Sequence, residues 1–234
     1  MSHRAVSRRF TAATAALLAG CAGPAVGDVV YFDNSGGEFV WEESWFFGDF
    51  HHGTSLDITL PPSQSGEATP YSLQSYSEIY FTSGQLVTTS LTPDQPGNVT
   101  VARGPETFVN PGPWSGNVDP AIAFAAGDPI GPAVPGGTWG ANADVDWRSG
   151  IQDVSLIDGH AFIGVCLQLP DGPHYGWIDL VDNGYNAGRS FVALGWAWET
   201  TPNTALPAGT VPGPAALACF AVAGVSALRR RRRS

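Results

Sequence analysis

Residues 153–199 read DVSLIDGHAFIGVCLQLPDGPHYGWIDLVDNGYNAGRSFVALGWAWE, and three turn signals divide that run into strands. Asp158-Gly159 is the dipeptide of a tight hairpin and predicts that 153–157 pairs with 161–169. Pro170-Asp171-Gly172-Pro173 turns the chain into 174–181, and Asp182-Asn183-Gly184 opens the turn toward 190–199. Turn chemistry alone therefore predicts four successive antiparallel strands. Ile163, Val165, Leu167 and Leu169 alternate with Phe162, Gly164 and Cys166, so 161–169 is apolar on both faces, as a strand covered on both sides must be. It is expected at the centre of the fold.

Upstream, the same logic gives more short strands. Segments 29–32 and 38–41 flank Asn34-Ser35-Gly36-Gly37 and predict a first hairpin. Leu56, Ile58 and Leu60 alternate with Ser55, Asp57 and Thr59, the period of a half-buried strand. Further strands are expected at 78–81, 85–89 and 98–102. Residues 104–140 differ in kind, with seven prolines interleaved with glycines; that composition demands loop, with only 121–126 as an element inside it. A loop of that length is functional or packed along an edge. No run outside the two ends has the 3.6-residue period of a long amphipathic helix. The fold class expected for 28–206 is an all-β antiparallel β-sandwich, with the jelly roll as one form of it.

The two ends carry addresses. Arg4, Arg8 and Arg9 precede an apolar Ala-rich stretch and a series of small residues, the layout of a secretory signal peptide over 1–27. Ala25-Val26-Gly27 offers a small-x-small cleavage site between Gly27 and Asp28. Leu18-Ala19-Gly20-Cys21 offers the alternative, a lipobox that would leave Cys21 as an acylated N-terminus. Cleavage after Gly27 is preferred, because a lipid at one end and a membrane tail at the other duplicate one function. At the C-terminus, within 207–234, Val211-Pro212-Gly213-Pro214 is followed by fourteen uncharged residues, then by Arg229, Arg230, Arg231, Arg232 and Arg233. A helix over 214–228 would be roughly 22 Å long at about 1.5 Å per residue, short for a bilayer core of about 30 Å. The arginines would stay on the cytoplasmic side and place the rest of the chain outside.

That tail resembles the PEP-CTERM sorting signal of exported bacterial proteins, over 211–233. The resemblance implies recognition and cleavage by an exosortase-type membrane transpeptidase and delivery to the cell surface or an extracellular polysaccharide matrix, after export by Sec-type machinery on the N-terminal signal. Gly213 stands where the family's usual glutamate lies, which leaves both cleavage and retention of the tail open. The body has no assigned family.

Charge and cysteine usage bound the rest. All 21 acidic residues lie between Asp28 and Glu199, against three bases there, Arg103, Arg148 and Arg189, so the body carries a formal −18 with no lysine. Such a surface rejects nucleic acid and anionic membranes and suits a saline exterior or cation binding. Cys166 is left alone in an apolar strand and is expected to be an inert core thiol.

Candidate site residues follow from residue type. Tyr175, Trp177, Trp196 and Trp198 would stack on sugar rings if exposed and would be core if buried. Val192, Leu194, Trp196 and Trp198 are expected on one face of their strand. Asp144, Asp146 and Asp153 are the candidate calcium ligands, although Arg148 stands where an EF-hand needs an oxygen. Asp49, His51 and His52 are expected in an ordinary loop. No other cofactor is implied and no catalytic residue is nominated. Glu78 and Asp179 are the carboxylates that interrupt strands near aromatics, and a glycosidase would need such a pair facing across a groove. The expected function is an exported surface or matrix protein that binds carbohydrate or exopolysaccharide or serves structurally; the alternative is a glycoside hydrolase or lyase on a jelly roll.

Overall fold

The computed structural model describes residues 28–37, 39, 41–42, 51–81, 85–109, 116–149, 152–155, 157, 159–182 and 190–212. Among the described residues the elements are strands apart from a 3-10 turn at Pro62–Gln64, and the strand ladders are antiparallel. The signal at 1–27 and the apolar tail from Gly213 onward lie outside the described residues. Among the described residues no helix is long and apolar enough to cross a membrane.

The larger sheet holds β1 (Val29–Asp33), β2 (Trp41–Glu42), β6 (Val99–Arg103), β9 (Ala123–Phe124), β11 (Thr138–Gly140), β14 (His160–Leu169), β15 (Gly172–Asp182) and β16 (Ser190–Glu199). The smaller one holds β3 (His51–Asp57), β4 (Ser72–Phe81), β5 (Gln85–Pro93), β12 (Ala143–Ser149) and β13 (Gln152–Ser155). Two short ribbons complete the set, β7 (Thr107–Val109) with β8 (Gly116–Val118), and β10 (Pro129–Ile130) with β17 (Leu206–Pro207).

The two sheets pack into one apolar layer. Leu56, Leu73, Leu91, Ala143 and Val145 of the smaller sheet share a cluster with Val101, Ile163, Val165, Ile178 and Trp196 of the larger. The strand that looked central is central: β14 lies between β15 and the pair β6 and β9. Its Ile163, Val165 and Leu167 enter this inner core, while Phe162 and Cys166 join a second cluster on the opposite face. That outer cluster is closed by the Pro/Gly-rich segment. Phe124 and Ile130 descend onto Ala102, Cys166, Tyr175 and Trp177, with Leu206 and Ala208 beside them. The long loop is therefore a cover over the outer face, pinned by the β10–β17 ribbon and by bonds from Ala208 N to Asp128 O and from Gly127 N to Ala208 O.

Several expectations are corrected. Asp158-Gly159 does not close a hairpin: β13 pairs with β12 in the smaller sheet and β14 belongs to the larger, so this turn carries the chain across the sandwich. Its Gly159 has φ +82°, a conformation glycine adopts without strain. The β14–β15–β16 meander is as expected.

Nor do the segments around Asn34–Gly37 pair with each other. β1 and β2 lie one after the other along β16, with Val29 opposite Glu199 and Trp41 opposite Phe191. Asn34 makes that step possible. Its buried amide donates to Phe39 O at 2.8 Å and Ala193 O at 2.6 Å, and its Oδ1 accepts from Phe39 N at 2.9 Å. Opposite the step, the β15–β16 register shifts, with Asp179 against Gly195 and Leu180 against Ala193. A bulge reverses the alternation, so Phe191, Ala193 and Trp196 all face the inner core, and Val192 and Leu194 do not share the face of Trp196. His51 and His52 fall on β3. Pro207 and Ala208, just past Leu206, are bonded into the cover.

Candidate functional site

A mixed cluster of polar and aromatic side chains sits on the outer face of the larger sheet. One cross-strand row runs Asp33, Gly195, Asp179, Phe162, and its neighbour runs Tyr31, Ala197, Trp177, Gly164. Ile178 and Leu180 belong to the inner core, so Asp179 and Trp177 point outward. Gly195 matters for its missing side chain. A Cβ there would meet the Tyr31 ring and hydroxyl at 3.2 Å, which shows the phenol lying across the strand toward Asp179.

His160 completes the group. Its Nε2 is 2.5 Å from Asp179 Oδ1, with the imidazole half exposed, and its ring lies 6.0 Å from that of Phe162. Phe162 packs edge-on to Trp177 at 5.3 Å, and Tyr31 tilts against Trp177 at 5.9 Å. Burial, and then the Asp33 and Asp179 carboxylates, push the Tyr31 hydroxyl above the usual tyrosine range. It therefore stays protonated and can donate at neutral pH. Asp33 is held below the usual carboxylate range by accepting from Ser35 N at 2.9 Å. Carboxylate acceptors, a phenol donor and an imidazole flanked by half-buried ring faces can engage hydroxyl groups set on an apolar frame.

The nominated aromatics divide between two layers. Tyr175 and Trp177 are 4% and 2% exposed in the outer cluster, whereas Trp196 is 0% exposed in the inner core. Trp198 is half-buried against that core and edge-on to His174 at 5.6 Å. They form no common stacking platform. Trp139 stacks on Tyr175 at 5.6 Å and covers it.

The nominated calcium ligands do not converge either. The β12–β5 register shifts between Asp144 and Asp146, so Asp144 pairs with Ser90 and Asp146 with Thr89, and the bulge removes the alternation that would put both on one face. Asp144 is a buried acceptor, taking Ser90 Oγ at 2.5 Å and Asp119 N at 2.7 Å. It belongs to a clasp. Segment 119–122 bonds to Asp144 on one side and to Ala102 and Gly104 on the other, and Arg103 pairs with Asp119. The clasp ties the smaller sheet to the larger. Asp153 pairs with Arg148 through the backbone, and its side chain lies outside those described. Among the described residues no group of three His, Cys, Asp or Glu could hold a metal.

Glu78 and Asp179 lie in different sheets, and Asp179 points away from the smaller one. They cannot face each other across a groove. Cys166 is buried, and burial pushes its thiol up to about 11, so it is the inert thiol expected. Of the terminal motifs, Asp28 is exposed, with its carbonyl accepting from Thr200 N, and Val211 and Pro212 are exposed; Cys21, Gly27, Gly213, Pro214 and Arg229 to Arg233 lie outside the described residues. Tyr31 and His160 carried no sequence signal, because only strand register brings them to Asp179.

No protein-family model, curated protein or solved structure matches this chain.

Proposed function

We propose that this chain is exported and delivered to the cell surface or extracellular matrix, where its β-sandwich contacts polysaccharide through the outer-face patch of Tyr31, Phe162, His160 and Asp179. The observation that carries the proposal is that patch, a half-exposed imidazole paired with the largely buried Asp179 carboxylate and bordered by two aromatic rings on the sheet. Sugars present hydroxyls around an apolar ring face, and these groups answer both features. Export rests on the signal-peptide layout of 1–27 and on the PEP-CTERM-like tail with its exosortase-type partner. A body closed on itself supports it: β1 is seated on β16 and β17 on β10, so both addresses lie beyond a completed fold.

The test is retention of the chain from Asp28 to Pro212 on immobilised bacterial and algal polysaccharides, with calcium and with chelator, analysing released sugars as well as bound protein. Retention without release, lost in Tyr31→Ala and Asp179→Asn, is the expected outcome. Released oligosaccharide would convert the assignment to a glycoside hydrolase or lyase. Absence of retention on every polymer would leave a structural role.

A further inference from the structure

The outer-face patch sets two carboxylates on either side of an aromatic ring. Asp33 on β1 and Asp179 on β15 share one cross-strand row, with Gly195 of β16 between them. Two strand spacings put their backbones about 10 Å apart. Gly195 fills none of that gap, and the Tyr31 ring and hydroxyl lie over it, 3.2 Å from where its Cβ would stand. Both carboxylates bear on the Tyr31 hydroxyl electrostatically, so the phenol lies within reach of each. Tyr31 is only half-buried, which leaves part of its ring open to solvent.

Charge at this ring is unbalanced. The bases of the body are Arg103, Arg148 and Arg189. Arg103 is paired with Asp119 in the clasp, Arg148 belongs to the smaller sheet, and Arg189 lies outside the described residues. Among the described groups of the patch only His160 can become cationic, and its Nε2 is engaged with Asp179. Asp33 accepts from Ser35 N and meets no base among the described residues. Ionised carboxylates only accept, so acceptors outnumber donors here.

We propose that this patch selects a protonated amino sugar, the unit of a de-N-acetylated hexosamine polymer, over neutral and acidic sugars. The inference rests on the polysaccharide reading above and names its ligand class. An ammonium group brings three donors and no acceptor, the complement of Asp33, Asp179 and the phenol oxygen. Hydrogen bonds between a charged donor and a carboxylate are roughly twice as strong as neutral ones, and a cation over a tyrosine face is also drawn by the ring quadrupole. Phe162, next to Asp179 in the same row, gives the sugar ring an apolar neighbour. A uronate would set its own carboxylate against two others and is repelled.

Calorimetric titration of the full-length chain in non-ionic detergent tests this, with hexamers of glucosamine, N-acetylglucosamine and galacturonate in one mildly acidic buffer at physiological ionic strength. Glucosamine should bind about tenfold more tightly than its N-acetylated form, and galacturonate should not bind. Asp33→Asn and Asp179→Asn should each weaken glucosamine binding several-fold. Glu67→Gln and Glu106→Gln, which remove the same charge from exposed positions outside the patch, should leave it unchanged. An equal effect of all four variants would mean diffuse attraction to an acidic body and overturns the site. Binding of either other hexamer as tightly as glucosamine overturns the selectivity and leaves the polysaccharide reading standing. No binding of any hexamer overturns the amino-sugar assignment, and the polysaccharide reading falls with it only if retention on the wider polymer panel is absent as well.

Discussion

At the scale of single residues, buried polar side chains hold the turns that the topology needs. Asn34 satisfies three backbone groups of Phe39 and Ala193 where β1 hands over to β2. Asn34→Ala leaves those groups buried and unpaired, and urea unfolding should show a loss of about 2–4 kcal/mol. Asp57 does similar work, accepting from Thr59 N and Oγ1 at 2.7 Å and from Thr69 Oγ1 at 2.5 Å. Asp144 is a buried carboxylate of another kind. Burial outweighs its hydrogen bonds and raises its carboxyl above the usual range. A raised folded-state pKa gives a contribution that is full below the unfolded value of about 3.9 and is lost as pH rises through the folded value. Asp144→Asn keeps an acceptor for Asp119 N and offers the Ser90 hydroxyl, which now donates to the carboxylate, an amide N–H to accept from instead, without the charge. It should therefore be more stable than the parent at pH 7, with the advantage vanishing toward pH 3; denaturant titrations across that range measure it. An advantage that persisted at pH 3 would mean that ionisation is not its source.

At the scale of elements, β14 is the strand on which both layers depend. Gly164 is the point of closest approach by the cover, since a Cβ there would meet Phe124 at 2.9 Å, Ala102 at 3.1 Å and Ile130 at 3.3 Å. Gly164→Val should overpack that contact, costing about 1–3 kcal/mol in thermal unfolding, and should make 120–140 the first site of limited proteolysis. The two bulges are the other decisive elements. That in β16 turns Trp196 into the inner core beside Ala193, and that in β12 separates Asp144 from Asp146. Neither bulge leaves a mark in the hydrophobic alternation, because an inserted residue changes the phase of a pattern whose absolute phase is not known beforehand.

At the scale of the whole molecule, the last strand of the body determines where it can be cut. Ending the chain at Leu206 removes Pro207 and Ala208, which pair with the cover, whereas ending it at Pro212 keeps them. The shorter form should melt lower and lose its cover to proteases sooner, and a differential scan of the two measures it. A net charge of −18 on the body also predicts self-repulsion. Added sodium chloride should raise the unfolding midpoint as the screening length falls from about 10 Å at 0.1 M to about 3 Å at 1 M.

The sequence by itself determined the fold class, the β14–β15–β16 meander, the double-faced central strand and the fate of Cys166. Those follow from local turn chemistry and from an alternation in which both phases are apolar, so no knowledge of the partner strand was needed. Tertiary structure alone decided that Asp158-Gly159 crosses between sheets, since the same turn residues serve a hairpin and a crossover and the choice lies in which edge the next strand finds. It also decided that the long Pro/Gly loop is a cover, that Trp196 and Trp177 sit in different layers, and that Tyr31, His160 and Asp179 meet. Such meetings depend on register between distant strands, which packing of the two sheets selects and no local segment encodes.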